Sequence, residues 1–314
     1  MPDPRPSLYQ PSLVDPCADD MILPFQVGDT AVRGRIVRLA GAIDEILSAH
    51  KFPDPLSELL GEAVSLVALM GASLKFDGKL IFQAQGDGPA SMIVADYSAG
   101  GALRATAKAA AGALPRGAKA LLGRGAIALT IDQGPDMDRY QGVTPIEGET
   151  LADAAVAYFG QSEQIPTVVR LAVGRIQSPG GAEHWRAGGL MAQFVPHEGG
   201  RERGEALRLT AEDLDVWERA SAFIETIEDD ELLDPAISAE TLLYRLFHED
   251  GVRVFDPAPL RAACSCNADK IAAVLSRYSA GDLGDMVDAG AITVTCEFCR
   301  RDYRFTPEGA PIAQ

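Results

Sequence analysis

The chain is poor in the residues that metal and redox enzymes draw on. Its 314 residues include only four histidines and five cysteines. His50, His184, His197 and His248 are scattered, with no HExxH pair to hold a catalytic zinc. No P-loop and no GxSxG elbow occurs, and Gly123-Arg124-Gly125 lacks the third glycine of a dinucleotide fingerprint and reads as a bend entering a strand. Phosphate-cradling, dinucleotide-binding and serine-hydrolase chemistry therefore lack their usual supports, and the protein is not expected to be an enzyme. Long apolar runs are missing as well. The run Ala63–Ala72 spans about ten residues, where a bilayer needs about 20, so no membrane partner is expected. Met1–Asp20 is proline-rich and acidic and has no apolar signal-peptide centre. It reads as a flexible tail on a protein that stays in the cytoplasm, where thiols are kept reduced.

Positive charge is in deficit too. Lys and Arg number 28 against 45 Asp and Glu, a net charge of −17, which argues against nucleic acid as a partner. The deficit is uneven. Residues 1–196 carry 16 basic and 21 acidic side chains, residues 197–258 carry 6 and 17, and residues 259–314 carry 6 and 7. The middle stretch, at −11, is thereby marked as a unit of its own.

Apolar residues make up 47% of the chain, enough for a large core. Phe25–Leu39 predicts one or two strands, Ala42–His50 a short helix, and Leu59, Leu60, Ala63, Leu66, Val67 and Met70 the broad buried face of a second helix. Lys79–Gln85, Ser91–Tyr97 and Leu103–Lys108 alternate as strands, and the glycine-rich turns between them predict antiparallel hairpins. Gly123–Ile131, Gln141–Ile146 and Thr167–Ile176 are further strands, Thr150 caps a helix reaching Phe159, and Gly189–Val195 is a short apolar element. Grouped strands flanked by helices predict an α+β fold rather than a repeated βαβ winding.

The acidic stretch differs. His197–Glu205 is a polar loop, and Thr210 with Asp213 predicts a capping box opening a helix. That helix carries a narrow apolar stripe of Leu214, Trp217, Ala220, Ile224 and Ile227. Ser238 caps another, with Leu242, Leu243, Leu246 and Phe247 turned inward. So much like charge beside so little apolar area predicts a segment that folds only by docking, and marginally. The expected organisation is a tail over residues 1–20, an antiparallel-sheet core domain over 21–196, an acidic helical linker over 197–258 and a small C-terminal domain over 259–314.

Four of the five cysteines lie in that last unit, as Cys264-Ser265-Cys266 and, 29 residues later, Cys296-Glu297-Phe298-Cys299. Two close pairs that fold back on each other can set four thiolates around one tetrahedral ion, the donor set of a structural zinc. The same spacing allows two local disulfides on oxidation. A domain of about 50 residues has a slight core, and metal ligation would supply much of its folding free energy. Cys17 reads as an incidental thiol.

These cysteines and their flanks resemble the redox-regulated heat-shock protein 33 family. The resemblance is carried by the CxC and CEFC pairs with Tyr303 and Phe305 after them, by Leu243–Phe247 with Val252-Arg253-Val254, and by Arg33-Gly34-Arg35 and Gly86-Asp87-Gly88-Pro89. It extends to Tyr158-Phe159 before Gln161-Ser162-Glu163-Gln164, and to Ala187-Gly188-Gly189 with Gln193. It spans residues 22–306. Asn267 stands where serine is common, and Cys17 has no counterpart. The resemblance implies an ATP-independent holdase of the bacterial cytoplasm. When reduced it would hold one Zn²⁺ through Cys264, Cys266, Cys296 and Cys299 and be inactive. Oxidation would form Cys264–Cys266 and Cys296–Cys299, release zinc, unfold the linker and allow a homodimer to bind unfolding client proteins through surfaces such as Leu214, Trp217, Ile224, Ile227 and Leu246. Clients would later pass to ATP-dependent foldases. A thiol–disulfide oxidoreductase or a zinc-ribbon binding module is the alternative. The CxC pair without a leading βαβ unit disfavours the first, and the near-neutral charge of the last unit disfavours the second.

Overall fold

The computed structural model describes residues 19–72, 78–134, 137–177, 180–195 and 211–312, with only the backbone for Ala211, Glu212 and Asp213. Nearly all of the expected tail, Cys17, the His197–Glu205 loop and the Thr210 cap lie outside these residues. In chain order the elements are β1 Met21–Val27, β2 Val32–Leu39, α1 Gly41–His50, α2 Asp54–Gly71, β3 Lys79–Gly86, β4 Ala90–Ser98 and β5 Ala102–Ala109. Then come α3 Ala118–Leu122, β6 Gly125–Asp132, β7 Tyr140–Pro145, α4 Leu151–Tyr158, a π turn at Phe159–Glu163, β8 Thr167–Gln177 and β9 Glu183–Phe194. The acidic stretch supplies α5 Ala211–Glu225, α6 Asp229–Leu233, α7 Ala239–Phe247 and β10 Val252–Val254. After it come β11 Ala258–Pro259, β12 Arg261–Ala262, α8 Ala268–Leu275, α9 Ala280–Asp285, β13 Val287–Asp288, β14 Ala291–Thr295 and β15 Asp302–Phe305.

Two six-stranded sheets sandwich α2. One runs β10-β1-β2-β9-β8, with β11 also on β1, and the other runs β12-β5-β4-β3-β6-β7. The fold is α+β, as the grouping of strands predicts. α2 is apolar on nearly every side, and it contacts β3, β4 and β5 on one flank and β2, β8 and β9 on the other. A helix hydrophobic all round belongs inside. Thr150 and Asp153 form the capping box that starts α4.

Strand alternation in the first sheet serves two different cores. Ile22, Val37, Leu39, Trp185, Ala187 and Met191 face α2. The alternate residues Leu23, Phe25, Ile36, Leu190, Ala192 and Phe194 face the opposite way, where α5, α6 and α7 cover them. The predicted element at Gly189–Val195 is the second half of a twelve-residue strand. Its polar start at Glu183 and His184 hides the beginning from an apolar-run reading.

The chain then staples the two sheets together. β10 and β11 pair antiparallel with β1, and two residues later β12 pairs parallel with β5 on the other sheet. The contact at this crossing is close. A Cβ at Gly101, whose φ is +82°, would lie 2.0 Å from the Pro259 carbonyl oxygen, so only glycine fits. Cys264 lies two residues beyond the end of β12, and the metal-ligating unit is thus hung from the staple.

Candidate metal centre

The small C-terminal unit is built on the β13-β14-β15 sheet and a core of Leu275, Leu283, Ile292, Tyr303 and Phe305. Asn267 caps α8 by accepting from the Lys270 amide at 2.8 Å, which fixes the chain just after Cys266. At the other pair, the Cys296 amide donates to the Arg301 carbonyl and the Arg300 amide to the Cys296 carbonyl, both at 2.9 Å. Arg300 takes a left-handed φ of +57°, which turns the CEFC loop back toward the first pair.

All four cysteine sulfurs lie within 4.8 Å of one another, and all four residues are half-buried. Cys264 Sγ is 3.7 Å from Cys296 Sγ, and Cys266 Sγ is 3.4 Å from Cys299 Sγ. Tetrahedral thiolates about 2.3 Å from a zinc ion stand about 3.8 Å apart, so the donor set and its spacing fit a closed four-sulfur site. The four residues are positioned to bind a metal ion.

The electrostatics of the bare thiols point the same way. Burial pushes the Cys264 thiol up, and burial with the hydrogen bonds of Cys266 and Cys296 pushes Cys299 up to about 12. Burial acts on Cys266 too, but the Tyr303 hydroxyl, 3.1 Å from its sulfur, and the neighbouring thiols outweigh it and bring Cys266 down to about 7. Four sulfurs this close cannot all ionise without a cation between them.

Lys270, Arg300 and Arg301 are close enough in sequence to balance a four-thiolate site. Lys270 instead donates to the Ser265 carbonyl at 2.7 Å, while Arg301 is held by Tyr303 and feels Cys299 and Cys266. A further cation comes from the core domain. Arg104 of β5 lies over the Phe298 ring at 4.1 Å, donates to Ser265 Oγ at 3.1 Å and interacts with Cys264. Burial works against its charge, but Asp96, itself 3% exposed and 2.7 Å from Arg104 Nε, and Cys264 raise its pKa. Thr106 Oγ1 donates to the Glu297 carbonyl at 2.9 Å, and His50 bonds the Ala105 carbonyl nearby. No short-range signal marks Arg104, because 160 residues of chain separate it from Cys264.

The expected linker stripe is only partly assembled. Ile224 and Ile227 are fully buried on the first sheet, Trp217 packs edge-on to Phe194 with ring centres 6.3 Å apart, and Leu246 sits at the margin of that core. Leu214 is 42% exposed and is not part of that core. The docked face is wider than a stripe. Ala220, Leu232, Leu233, Ala239, Leu242, Leu243 and Phe247 are also buried there. Among the described residues, Asp215, Glu218, Glu225, Glu228, Asp229, Asp230 and Glu249 are exposed, so their charge opposes docking less than it would if buried.

The chain is thus a two-sheet α+β core that carries a four-cysteine metal module on a strand staple. The sequence profile described as Hsp33 protein matches residues 20–306, and this chain belongs to that family. A 33 kDa chaperonin of Caulobacter vibrioides is 51% identical over 301 residues, covering 93% of this chain and 96% of the relative. One from Azotobacter vinelandii is 36% identical over 294 residues, covering 92% of each. The crystal structure of the Thermotoga maritima 33 kDa chaperonin shares the fold, with a TM-score of 0.75 at 22% identity over 92% of this chain and 96% of that one. Among the described residues, no helix is long and apolar enough to cross a membrane.

Proposed function

We propose that the protein is a redox-regulated, ATP-independent holdase of the bacterial cytoplasm, with residues 21–196 as its core domain, 197–258 as the switch and 259–314 as the sensor. Cys264, Cys266, Cys296 and Cys299 hold one zinc ion in the reduced state. When bound, zinc keeps all four sulfurs as thiolates and cross-links a module whose own core is small. Oxidation closes Cys264–Cys266 and Cys296–Cys299. Each new S–S bond takes two electrons from two thiolates, and a two-electron oxidant such as hypochlorous acid accepts them with one proton from solvent, leaving as chloride and water. Two disulfides no longer ligate a metal, so the module loses its cross-link.

The observation that carries this reading is the route of the chain. The same β10–β12 run that leads into Cys264 anchors the C-terminal end of the segment covering Leu23, Phe25, Ile36, Leu190 and Phe194. Loss of the module loosens the staple, and the staple's release lets the covering helices leave. The uncovered sheet face, with Trp217, Ile224, Ile227, Leu246 and Leu214 on the freed segment, is an apolar surface large enough to hold unfolding clients and to join two copies. On return to reducing conditions, clients pass to ATP-dependent foldases.

Light scattering of a heat-denaturing client tests the proposal. Pre-oxidised protein is expected to suppress aggregation and pre-reduced protein is not. Metal analysis of reduced protein should return one zinc per chain, and Cys296→Ser/Cys299→Ser should abolish it. Suppression of aggregation by the reduced, zinc-loaded form would overturn the redox switch.

A further inference from the structure

The covering segment is held by more than apolar contact. Three arginines on adjacent strands of the first sheet point to the covered face and donate to main-chain carbonyls around α6. Arg38 of β2 donates to the Glu231 and Asp234 carbonyls at 3.4 and 2.6 Å. Arg170 of β8 reaches the Ile227 carbonyl at 2.8 Å and the Asp229 carboxylate at 3.3 Å. Arg186 of β9 donates through Nε to the Leu233 carbonyl at 2.9 Å, while both its Nη atoms are fixed by Asp19 at 2.6 and 2.7 Å. Arg38 is 1% exposed and Arg186 is 7% exposed, so these are aimed, desolvated donors rather than rim charges.

Between them the sheet surface is hollow. Gly188 lies opposite Arg38 in the register, with Ala172 beside it and Gly174 beside Arg186. Leu232 and Leu233 fill the hollow. A Cβ at Gly188 would stand 2.6 Å from the Leu232 carbonyl oxygen, and one at Gly174 would stand 3.1 Å from Leu233 Cδ1. A glycine-floored hollow for two apolar side chains, ringed by guanidinium groups that grip carbonyls, is a peptide-binding site. Carbonyl recognition is indifferent to sequence, while the hollow and the cation ring select an apolar pair beside acidic residues.

We infer that residues 227–234 are an internal mimic of the client. The Arg38, Arg170 and Arg186 hollow, once vacated, takes an unfolded polypeptide segment with two adjacent aliphatic residues preceded by carboxylates. This inference rests on the reading that the covering segment leaves the sheet on oxidation.

The test uses full-length protein and a fluorescein-labelled peptide of residues 225–236, followed by fluorescence anisotropy. Oxidised protein is expected to bind it saturably, and reduced protein, whose hollow is filled, is not. The same peptide with serine in place of both leucines should lose binding. Arg170→Gln, at a side chain 35% exposed and so tolerant of change, should weaken the peptide at least about tenfold, the loss of its charged hydrogen bond to the Ile227 carbonyl together with its contact to the Asp229 carboxylate. Gly188→Ala should weaken it as well by filling the floor. Amide exchange of residues 227–234 is measured in parallel. If they open on oxidation and the oxidised protein holds a client yet ignores the peptide, or binds the serine peptide and the Arg170→Gln variant equally well, this inference fails alone. Continued protection of the segment would overturn the switch and the inference together. Peptide binding that occurs only as oxidised dimers dissociate would assign the hollow to a second copy and overturn the client assignment.

Discussion

Two close sulfur–sulfur approaches run between the cysteine pairs, from Cys264 to Cys296 and from Cys266 to Cys299. In a four-sulfur cluster every distance is similar, so proximity alone does not choose the disulfides. Chain connectivity does. Once the metal cross-link is lost, partners two or three residues apart meet far more often than partners more than 30 apart. Crossed disulfides would also staple the module shut, in place of the metal, and leave the switch closed. Peptide mapping after a brief oxidant pulse should therefore find Cys264–Cys266 and Cys296–Cys299, with the less strained CxxC ring closing first. Dominant crossed pairs would contradict this. Phe298 offers a second test at the same scale. Phe298→Ala removes the ring beneath Arg104 but leaves the Arg104–Asp96 pair intact. It should loosen the module by about 0.5–1 kcal/mol without loss of metal, seen as faster amide exchange in β12 and the CEFC turn. Arg104→Ala is the less clean probe, because it would strand the nearly buried Asp96.

Among the elements, α5 to α7 decide whether the sheet face is open. The depth at which each side chain sits grades the expected effects. Ile224→Ala and Leu243→Ala remove fully buried side chains and should cost about 2–5 kcal/mol of docking, enough to give the reduced, zinc-loaded protein partial holdase activity. Trp217→Ala and Leu246→Ala should act in the same direction more weakly, since both side chains are half-buried, and Leu214→Ala should leave docking unchanged. The check is light scattering paired with amide exchange across 211–247. Equal effects from Leu214→Ala and Ile224→Ala would show that burial in the docked state is not the controlling quantity. This gradient also marks the limit of what the sequence discloses. Period reveals α5, period with the Ser238 cap reveals α7, and turns and spacing reveal the hairpins and the cysteine site, because each is encoded within a few residues. α6 escapes, as five residues of mostly acidic sequence make no apolar stripe. Arg38, Arg170 and Arg186 escape as well. A strand arginine between apolar neighbours looks solvent-facing until the folded chain lays carbonyls from 47 to 196 residues away against it, and Arg104 is hidden from the metal centre in the same way.

At the scale of the whole molecule, one carboxyl links the central helix to the switch. Glu62 of α2 is half-buried and feels the charges of Asp229, the first residue of α6, and of Glu58. Burial first, then those two charges, raise its pKa to about 7. A carboxyl raised in the folded state is neutral there at low pH, at no cost. As pH climbs from the ordinary carboxylate value of 4.5 through about 7, the folded protein must ionise a poorly solvated group against two like charges, and stability falls. The loss is complete above that window and amounts to ~3 kcal/mol at most, the full shift at 1.36 kcal/mol per unit. Undocking the segment carries Asp229 away from Glu62 and recovers part of this penalty, so mildly alkaline conditions should favour the open state. Urea unfolding and amide exchange of 227–234, corrected for the intrinsic exchange rate, should both show a less stable reduced protein at pH 8 than at pH 6. Glu62→Gln should flatten that difference. Every other titratable group is common to both proteins, so the contrast isolates Glu62. An unchanged pH dependence in the variant would remove this carboxyl from the coupling between the core and the switch.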